Sequence, residues 1–330
     1  MTDLANSTVL VTGAGGFIGS HLVERLVREG AHVRALIRYN SRNDWGALEW
    51  VPAEVTDDVD VVLGDIRDIE SVARATQGAD YVCHLAAQVA IPYSYLNPRD
   101  FIATNVEGSL NVAQAALDAG VQHLVHTSTS EVYGSAQFVP ITEDHPLHPQ
   151  SPYAASKVGA DVVMESYNRT YDLPVTVLRP FNTFGPRQSA RAVIPTIISQ
   201  ALAGGPVRLG SLSPRRDLTY VEDTAEGYLA ALSTPDTIGR TLQLGTGVDV
   251  SVSEIVDLVG ELTGHPLEVE QDTDRIRPDN SEVTRLLSSP QRAQDTMGWT
   301  PRVDLREGLR RTMRYIEGHA ERYRTDQYVI

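Results

Sequence analysis

The sequence predicts an α/β fold in which a doubly wound parallel sheet is followed by a smaller C-terminal lobe. In the first half of the 330-residue chain, short β-branched runs alternate with segments of helical periodicity, as in stacked βαβ units. Beyond about residue 181 this alternation gives way to turn-rich stretches such as GGPVRLGSLSPRRD. We therefore expect the later part to form a lobe over the carboxyl edge of the sheet, where open α/β sheets bind their ligands.

The strands and helices of this fold can be assigned in order along the chain. Strands are predicted at STVLVT, HVRALI, DVVLG, DYVCHLA, HLVHTS and VTVLRP. Helices are predicted near residues 17–29, 67–77, 99–119, 152–171, 221–233 and 304–323. We accordingly expect residues 1–180, together with roughly 221–247, to form the sheet domain, and residues 181–220 and 248–330 to form the smaller lobe.

Composition restricts the class of protein. An apolar content of 42% is enough for a substantial core, and the formal charge of −15 disfavours nucleic acid and anionic membranes as partners. The chain has no 18-residue apolar span and no signal-peptide pattern near its start, so we expect a cytoplasmic protein. Its single cysteine, Cys83, excludes an internal disulfide and a cysteine-based zinc site; no metal site is predicted, and Cys83 is expected to be a buried strand residue.

The first chemical motif is VTGAGGFIGSHL, which places Gly13, Gly16 and Gly19 between the first strand and the first helix. Backbone N–H groups and the helix dipole can bind a pyrophosphate there, because glycine keeps side chains away. The motif therefore predicts a Rossmann-type dinucleotide-binding domain. Asp65, in GDIRD at the end of the third strand, lies where an adenine amino group is expected, and its alternative role is a helix cap.

The end of the second strand leaves the choice between NAD and NADP open. An NAD-selective site usually has Asp or Glu there to bind the ribose hydroxyls. This chain has Ile37, Arg38, Tyr39 and Asn40 instead. Arg38 could bind a 2′-phosphate or stack on adenine, or it could be a solvated residue at a strand end.

The second chemical motif is SPYAASKVGAD, in which Tyr153 and Lys157 are four residues apart at the start of a predicted helix. This spacing puts both side chains on one helical face. A nearby cation stabilises a phenolate and lowers the pKa of a tyrosine, which is about 10 when unperturbed. The pair can therefore exchange a proton with a substrate hydroxyl while a nicotinamide exchanges a hydride.

Taken together, TGxxGxxG, GDIRD, LAA, the Thr-Asn pair at 104 and 105, YxxxK and RPFNTFGP resemble the extended short-chain dehydrogenase/reductases that act on nucleotide sugars. The resemblance covers nearly the whole chain, because RRDLTYVEDTA and RPDNSEV in the second lobe also match. It implies NAD or NADP, tightly bound and recycled, and a nucleotide-diphosphate hexose, either a GDP-sugar or a UDP-sugar. The cofactor-binding residues that it implies are Gly13, Gly16, Phe17, Ile18, Gly19, Arg38, Asp65, Ile66, Leu85, Ala86, Ala87, Thr104, Tyr153, Lys157 and Pro180.

The stretch HTSTSEVYG, after the fifth strand, distinguishes members of this family. Sugar 4-epimerases usually carry Ser-Ser-Ala or a similar small trio there, whereas 4,6-dehydratases carry Thr, then Asp or Ser, then Glu. Thr129, Ser130 and Glu131 resemble the form found in GDP-mannose dehydratases and in the 4,6-dehydratases of legionaminic acid synthesis. The resemblance implies that Thr129 binds the sugar O4 and that Glu131 removes the C5 proton, while Ser130 stands where the family usually has its acid. The alternative role for Glu131 is to cap a turn.

The resemblance also implies a set of substrate-binding residues in and around the second lobe. These are Ser94, Asn182, Arg191, Arg216, Arg277 and Glu282. Arg216 and Arg277 match positions that hold the diphosphate, for which a guanidinium fork is suited, and Arg275 in the same RIRP stretch is an alternative to Arg277. Glu282 matches the residue that binds the nucleotide ribose. As alternatives, these side chains could form loop caps or surface ion pairs.

Three functions are compatible with the sequence. The favoured one is a nucleotide-sugar 4,6-dehydratase that forms a 4-keto-6-deoxy sugar; the second is a 4-epimerase, decarboxylase or 5,6-dehydratase with the same retained cofactor. The third is a non-catalytic dinucleotide sensor, which is disfavoured because Tyr153 and Lys157 are both present. We also expect a homodimer, since the helices predicted at 99–119 and 152–171 carry Ala and Gly on faces that a lone sheet would leave half exposed, and members of the family pair these helices.

Overall fold

The computed structural model describes residues 4–275 and 278–323, which form the α/β architecture that the sequence predicts. Each strand predicted in the first half of the chain is present, with ends that differ by at most two residues. In the described residues the strands are β1 (Thr8–Thr12), β2 (His32–Arg38), β3 (Val59–Gly64), β4 (Tyr81–His84), β5 (His123–Thr127), β6 (Val175–Pro180), β7 (Asn182–Phe184), β8 (Val207–Leu209), β9 (Arg215–Tyr220), β10 (Thr241–Leu244), β11 (Asp249–Ser251), β12 (Val269–Gln271) and β13 (Arg285–Leu286).

The helices lie between these strands and after them. They are α1 (Phe17–Arg28), α2 (Ala53–Thr56), α3 (Ile69–Thr76), α4 (Ile91–Leu96), α5 (Pro98–Phe101), α6 (Gly108–Ala119), α7 (Pro152–Tyr171), α8 (Val193–Ala203), α9 (Val221–Ser233), α10 (Val252–Thr263), α11 (Gln291–Met297) and α12 (Leu305–Glu317). Short 3₁₀ segments include Gly46–Trp50 and Ser130–Tyr133. Across the residues that the structure describes, no helix has both the length and the apolar character needed to span a membrane.

Seven strands form one parallel sheet in the order β10-β6-β5-β4-β1-β2-β3. Successive residues of a strand point to opposite faces, so Val9 and Val11 pack with α1 and α9, whereas Leu10 packs with α3, α6 and α7. Cys83 in β4 is fully buried, as expected. Strand order reverses between β1 and β4, and a crevice at such a switch point is where open α/β sheets bind ligands.

The chain enters the smaller lobe directly at this edge, because β7 begins two residues after β6 ends. Strand β9 pairs with β7, β11 and β13, and β8 pairs with β12. Helices α8, α10 and α12 cover these strands and form a separate apolar core with them. The division of the chain into two domains at the boundaries given above stays a prediction.

Two segments differ from the sequence-based expectation. The helix predicted over 99–119 is interrupted, since α5 and α6 are joined by a π-helical segment, Ile102–Glu107. After residue 181, where the sequence predicts turn-rich stretches and two helices, the described residues contain three further helices of seven residues or more, namely α8, α10 and α11. Their apolar faces pack in contacts between segments that are far apart in sequence, and for α8 the local pattern does not report such contacts.

Candidate active site

The turn between β1 and α1 brings bare backbone to the carboxyl edge of the sheet. Gly13 has a φ of +71°, and a Cβ there would lie 2.7 Å from the backbone nitrogen of Ala86, just after β4. At Gly19 a Cβ would lie 2.2 Å from the carbonyl oxygen of Gly13. Glycine is required at both positions, because a side chain would separate the turn from its neighbours. The turn thus offers backbone N–H groups at the start of α1, a geometry that fits a dinucleotide pyrophosphate.

A cavity of about 810 Å³ lies over this turn and along the carboxyl ends of the central strands. Every residue that the family resemblance implies for the cofactor lies on its wall, from Gly13 to Pro180. Thr129, Ser130 and Glu131 lie on the same wall. The structure therefore brings together residues that are separated by more than 160 positions in the sequence.

One end of the cavity is lined by charged side chains at the ends of β2 and β3. Asp65 accepts hydrogen bonds from Arg67, the shortest at 2.6 Å, and its carboxylate lies 3.7 Å from the Nε of Arg38. The hydrogen bonds from Arg67 lower the pKa of Asp65, so the carboxylate is charged at neutral pH. Arg42 pairs in the same way with Asp44 at 3.3 Å, in the loop that packs on the glycine turn.

The π-helical segment between α5 and α6 places Thr104 on the cavity wall and Asn105 behind it. The Asn105 side chain is fully buried; it accepts from the backbone N–H of Gln88 at 2.8 Å and donates to the Ser156 hydroxyl at 2.8 Å. These bonds join the π-helical segment to the turn after β4 and to α7. Widened helical turns of this kind occur frequently at functional sites, where they redirect a side chain.

Strand β5 ends at Thr127, and the chain then turns into the 3₁₀ segment that carries Glu131. The Thr129 hydroxyl accepts the backbone N–H of Glu131 at 3.2 Å, so Thr129 rather than Glu131 caps this turn. Among the described residues, no hydrogen bond or ion pair engages the Glu131 carboxylate. The carboxylate nevertheless lies near enough to Tyr153 to disfavour its ionisation.

Tyr153 and Lys157 project from the first two turns of α7, which Ser151 caps by accepting the N–H of Ala154. Tyr153 is 8% exposed, and burial raises its pKa, while a hydrogen bond with the Thr129 hydroxyl opposes that rise. Lys157 is 3% exposed and donates to the carbonyl oxygen of Thr127 at 2.6 Å. Burial lowers the pKa of Lys157 to about 8. Lys157 is also the only lysine of the 330-residue chain; the other basic side chains are arginine and histidine.

The residues that the resemblance implies for the substrate are less closely grouped. Asn182 lies on the cavity wall. Ser94 is fully buried, and its hydroxyl donates to the carbonyl oxygen of Ile91 in the same helix at 2.6 Å. Arg216, in β9, lies 3.4 Å from Glu282, and neither side chain is on the wall. The two remaining members of the set are an exposed side chain, Arg191, and Arg277, which lies outside the described residues.

Sequence reasoning missed two groups of residues at this site. Gln188 lies on the cavity wall, and its Oε1, like the Oδ1 of Asn182, is buried without a hydrogen-bond partner in the described chain. Its place in GPRQ, directly after the RPFNTFGP stretch, was the available signal. Behind the wall, Asp161 and Arg179 form a fully buried ion pair at 3.0 Å. The signal for Asp161 was its position four residues after Lys157.

The site has the donor set of a dinucleotide site and not that of a metal centre. The glycine cradle and the N-terminus of α1 fit a pyrophosphate, and Asp65 at one end with Lys157 at the other fits a nucleotide that extends across the strand ends. In the parts of the chain that the structure covers, no group of three or more His, Cys, Asp or Glu side chains could hold a metal ion.

Comparison with known proteins gives a consistent family and a mixture of activities. The family model described as GDP-mannose 4,6 dehydratase matches residues 10–312. The chain is 34% identical to UDP-glucose 4-epimerase of Mycolicibacterium smegmatis, over 94% of this chain and 99% of that protein. It is also 34% identical to dTDP-glucose 4,6-dehydratase of Streptomyces antibioticus, over 92% of this chain and 91% of that protein.

A solved structure agrees with this assignment over nearly its whole length. The dTDP-glucose 4,6-dehydratase of Streptomyces venezuelae, solved with NAD bound, superimposes with a TM-score of 0.82 at 32% sequence identity. The match covers 95% of this chain and 98% of that one. The cavity described above therefore belongs to a fold that holds NAD in a related enzyme.

Proposed function

Because this chain belongs to the GDP-mannose 4,6-dehydratase family of nucleotide-sugar enzymes, we propose that it is a nucleotide-diphosphate-hexose 4,6-dehydratase. It would oxidise the hexose at C4, eliminate water across C5 and C6, and reduce C6 to give a 4-keto-6-deoxy sugar. The substrate class is a hexose linked to a GDP, UDP or dTDP carrier. A tightly bound nicotinamide dinucleotide supplies the oxidation and the later reduction, so the reaction has no net redox change.

The observation that carries this proposal is the position of Glu131. Its carboxylate lies on the cavity wall beside Thr129 and near Tyr153, and the turn that contains it is capped by another residue. A ketone at C4 acidifies the C5 proton, and a carboxylate beside C5 can remove it. An epimerase needs no such base, because its keto-sugar only turns over in the site.

The remaining residues divide the proton transfers between them. Tyr153 accepts the proton of the 4-hydroxyl, and the Thr129 hydroxyl orients that oxygen. Burial raises the pKa of Tyr153, and the charges of Glu131 and Asp161 raise it further, so the phenol needs nearby positive charge to act as a base. We assign that role to the Lys157 ammonium, four residues along α7. Glu131 takes the C5 proton and, since Ser130 has no acidic group, gives it to the departing 6-hydroxyl, which leaves as water. Glu131 then regains a proton from solvent and delivers it to C5 when C6 is reduced.

For the cofactor, we propose NAD rather than NADP. The related dehydratase from Streptomyces venezuelae was solved with NAD. In this chain the carboxylates of Asp65 and Asp44 lie beside Arg38 and Arg42 at the adenosine end, and their negative charge disfavours a 2′-phosphate there. Release of the cofactor by denaturation and measurement of its mass decides between the two.

The second candidate is a nucleotide-sugar 4-epimerase. It is favoured by the epimerase name of a relative that is 34% identical and by the absence of an acidic residue at position 130. A decarboxylase or 5,6-dehydratase would use the same Tyr153 and Lys157. The epimerase product differs from the proposed one in mass and the decarboxylase product loses CO₂, whereas the 5,6-dehydratase product has the same mass but a 5,6 double bond in place of the 4-ketone.

The proposal is tested with a panel of GDP-, UDP-, dTDP- and CDP-hexoses. A product that is lighter by one water and carries a 4-ketone identifies the 4,6-dehydratase, whereas a product of the same mass with a 5,6 double bond and no ketone identifies the 5,6-dehydratase. A product of unchanged mass and altered stereochemistry identifies the epimerase, and loss of CO₂ from a nucleotide-linked hexuronate included in the panel identifies the decarboxylase. In deuterated water the dehydratase product should carry deuterium at C5, because Glu131 regains its proton from solvent before it protonates C5. Lack of any product lighter by one water contradicts the proposal.

Glu131→Gln provides the matched variant for the proposed base. The amide keeps the shape of the side chain but cannot accept the C5 proton, and loss of a general base typically costs about 10²- to 10⁴-fold in turnover. Oxidation at C4 does not require this residue, so reduced nicotinamide should accumulate on the enzyme, visible as near-ultraviolet absorbance. A purely structural role predicts lower thermal stability, nearly normal turnover per folded molecule and no such absorbance.

We also propose that the chain forms a homodimer through α6 and α7. Leu110 and Val162, on these neighbouring helices, are 41% and 55% exposed. Small residues of the same helices, such as Ala113 and Ala160, are buried within the chain, so the proposed interface depends on the larger side chains. Wild-type protein should sediment at twice 36.1 kDa and the Val162→Asp variant at 36.1 kDa. A wild-type mass of 36.1 kDa at micromolar concentration contradicts the dimer.

A further inference from the structure

Helix α7 carries a third ionisable residue in register with Tyr153 and Lys157. Asp161 follows Lys157 by four residues, so the three side chains lie on one face of the helix. Asp161 is 1% exposed. It does not reach the cavity, and none of the reaction steps described above uses it.

The Asp161 carboxylate is anchored to the end of β5. Its Oδ2 accepts from the Ser128 hydroxyl at 2.7 Å and from Nη2 of Arg179, in β6, at 3.0 Å. Ser128 lies between Thr127, whose carbonyl accepts from Lys157, and Thr129, whose hydroxyl contacts Tyr153. A single carboxylate therefore fixes the strand end that presents hydrogen-bonding groups to both members of the Tyr153–Lys157 pair.

The Asp161 carboxylate lies near two buried cations. Arg179 pairs with Asp161 at 3.0 Å, and the charge of Asp161 also attracts the buried Lys157 ammonium one helical turn away. His126, in β5, does not add to the positive charge at neutral pH, because burial lowers its pKa to about 4. Its Nε2 is 3.4 Å from the Oδ1 of Asp161 without forming a hydrogen bond. The other titratable groups that face this cluster are His84 from β4, Glu131 and Tyr133 from the 3₁₀ segment, and Tyr228 from α9.

We propose that Asp161 is a positioning residue of the active site, whose carboxylate is the buried counter-charge of Lys157 and holds Thr127 to Thr129 against the Tyr153–Lys157 pair. This inference rests on the proposed function in one respect, namely that Tyr153 and Lys157 are the pair that exchanges the proton. The electrostatics agree with the geometry. Burial lowers the pKa of Lys157, and the attraction of Asp161 opposes that change and leaves the pKa at about 8. Without this attraction the lysine would lose its proton nearer to neutral pH.

The single lysine allows the inference to be tested directly. Full-length protein with its cofactor bound, labelled with ε-¹³C-lysine, gives one lysine resonance, whose pH titration reports on Lys157 alone. In Asp161→Asn, which keeps an oxygen for Ser128 and Arg179 but removes the charge, the titration midpoint should fall by at least about one pH unit, as for loss of a nearby opposite charge. An unchanged midpoint in folded Asp161→Asn overturns the proposal.

Arg179→Gln is the matched variant, because it breaks the same ion pair from the other side. Without the Arg179 guanidinium, the negative charge of Asp161 acts on Lys157 alone. The midpoint of the Lys157 titration should therefore move to higher pH. If Asp161 has only a structural role, the two variants should lower stability alike without opposite changes in the lysine titration. Asp161→Glu retains the charge and should keep the wild-type midpoint. If Asp161→Asn does not fold, Arg179→Gln and Asp161→Glu still test the proposal. An unchanged midpoint of the Lys157 titration in Arg179→Gln overturns it.

Enzyme activity supplies the second readout. In the pH profile of turnover, the alkaline limb should lie at lower pH in Asp161→Asn than in wild type. The size of this shift should equal the shift of the Lys157 titration midpoint. A uniform loss of turnover at every pH contradicts a role through Lys157. The lysine titration needs no substrate, so it separates the two proposals: a wild-type protein that dehydrates no nucleotide sugar contradicts the proposed function, while the response of Lys157 to Asp161 is still measured.

Discussion

The two sides of the cavity are built in different ways. On the side of the large sheet the wall is largely backbone: Gly13 packs on Ala86, and Gly15 lies against the carbonyl oxygen of Trp45, where a Cβ would approach to 2.4 Å. On the side of the smaller lobe the wall is formed by side chains such as Asn182 and Gln188, and the charged pair of Arg216 and Glu282 lies behind it. A backbone wall cannot adapt without displacing whole segments, whereas arginine and glutamate side chains have many rotamers. We therefore expect substitutions on the sheet side to have large, all-or-none effects and those on the lobe side to have graded ones.

The largest effect is expected at Tyr153, where the sheet side meets the reacting sugar. Tyr153→Phe removes the proton acceptor and keeps the ring, so turnover should fall by about 10²- to 10⁴-fold while nucleotide-sugar affinity is retained. Tyr167→Phe on the same helix is the control, because that phenol donates to Gln114 at 2.9 Å, away from the cavity. Single-turnover kinetics and calorimetric titration measure the two quantities. Normal turnover in Tyr153→Phe contradicts the assignment of the base.

Gly13→Ala should have the next largest effect. Alanine at position 13 would have to keep the left-handed backbone of Gly13, which costs about 1–3 kcal/mol. Its methyl group would also collide with the backbone of Ala86. We expect loss of bound cofactor and a lower free energy of unfolding. Gly78→Ala is a close control: Gly78 has the same φ of +71° but no atom within 4 Å of the added Cβ. Gly78→Ala should lower the free energy of unfolding only by the cost of the left-handed backbone, and it should retain the cofactor. Chemical denaturation and the cofactor content of the purified protein measure the two effects.

A smaller, graded effect is expected at Arg216. Arg216→Gln removes the guanidinium that the family resemblance implies for the diphosphate, and hydrogen bonds to charged groups contribute about 1.5–3 kcal/mol. KM for the nucleotide sugar should rise by about tenfold or more, with a much smaller change in kcat. Arg208→Gln is the control, because Arg208 pairs with Glu270 on the surface and is 65% exposed. Equal KM values in the two variants would show that Arg216 does not bind the diphosphate.

The smallest effect is expected at Arg191, which is exposed and precedes α8 outside the cavity wall. Substitutions at such positions usually change free energies by no more than about 0.5 kcal/mol, so Arg191→Ala should alter KM by less than about threefold. A tenfold rise in KM would mean that this segment reaches the substrate. Substitutions on the lobe side would then have effects as large as those on the sheet side, and the expected difference between the two sides would not hold.

The same contrast explains what the sequence could predict. The glycine turn, the end of β5 and the start of α7 are local strand-turn-helix arrangements, so short motifs were enough to identify residues from Gly13 to Lys157 that line the cavity. Helix α7 has the predicted ends, 152 and 171, because Ser151 and Pro152 mark its start in the sequence. Substrate residues in the second lobe depend on how distant segments pack, which no local motif records.

Some of the misses had a readable signal and others did not. Helix α10 begins with a capping box formed by Ser251 and Glu254, and Gly264 follows its end, so it could have been predicted. Helix α8 is apolar over most of its surface and contains Pro195, so its sequence lacks the amphipathic period. The π-helical segment has no sequence pattern of its own, because it depends on Asn105 bonding to the turn after β4.

Because Lys157 is the only lysine in the sequence, proteolysis can measure motion at this site. A lysine-specific protease has one cleavage point in the whole chain, after residue 157, and that point is inside α7 with its side chain 3% exposed. Cleavage of the native protein into residues 1–157 and 158–330 therefore requires α7 to open, and its rate under native conditions measures how often that happens. A ligand that binds only the closed form slows the cut in proportion to its saturation. Proteolysis would thus rank nucleotides and sugars by affinity even when none of them is turned over.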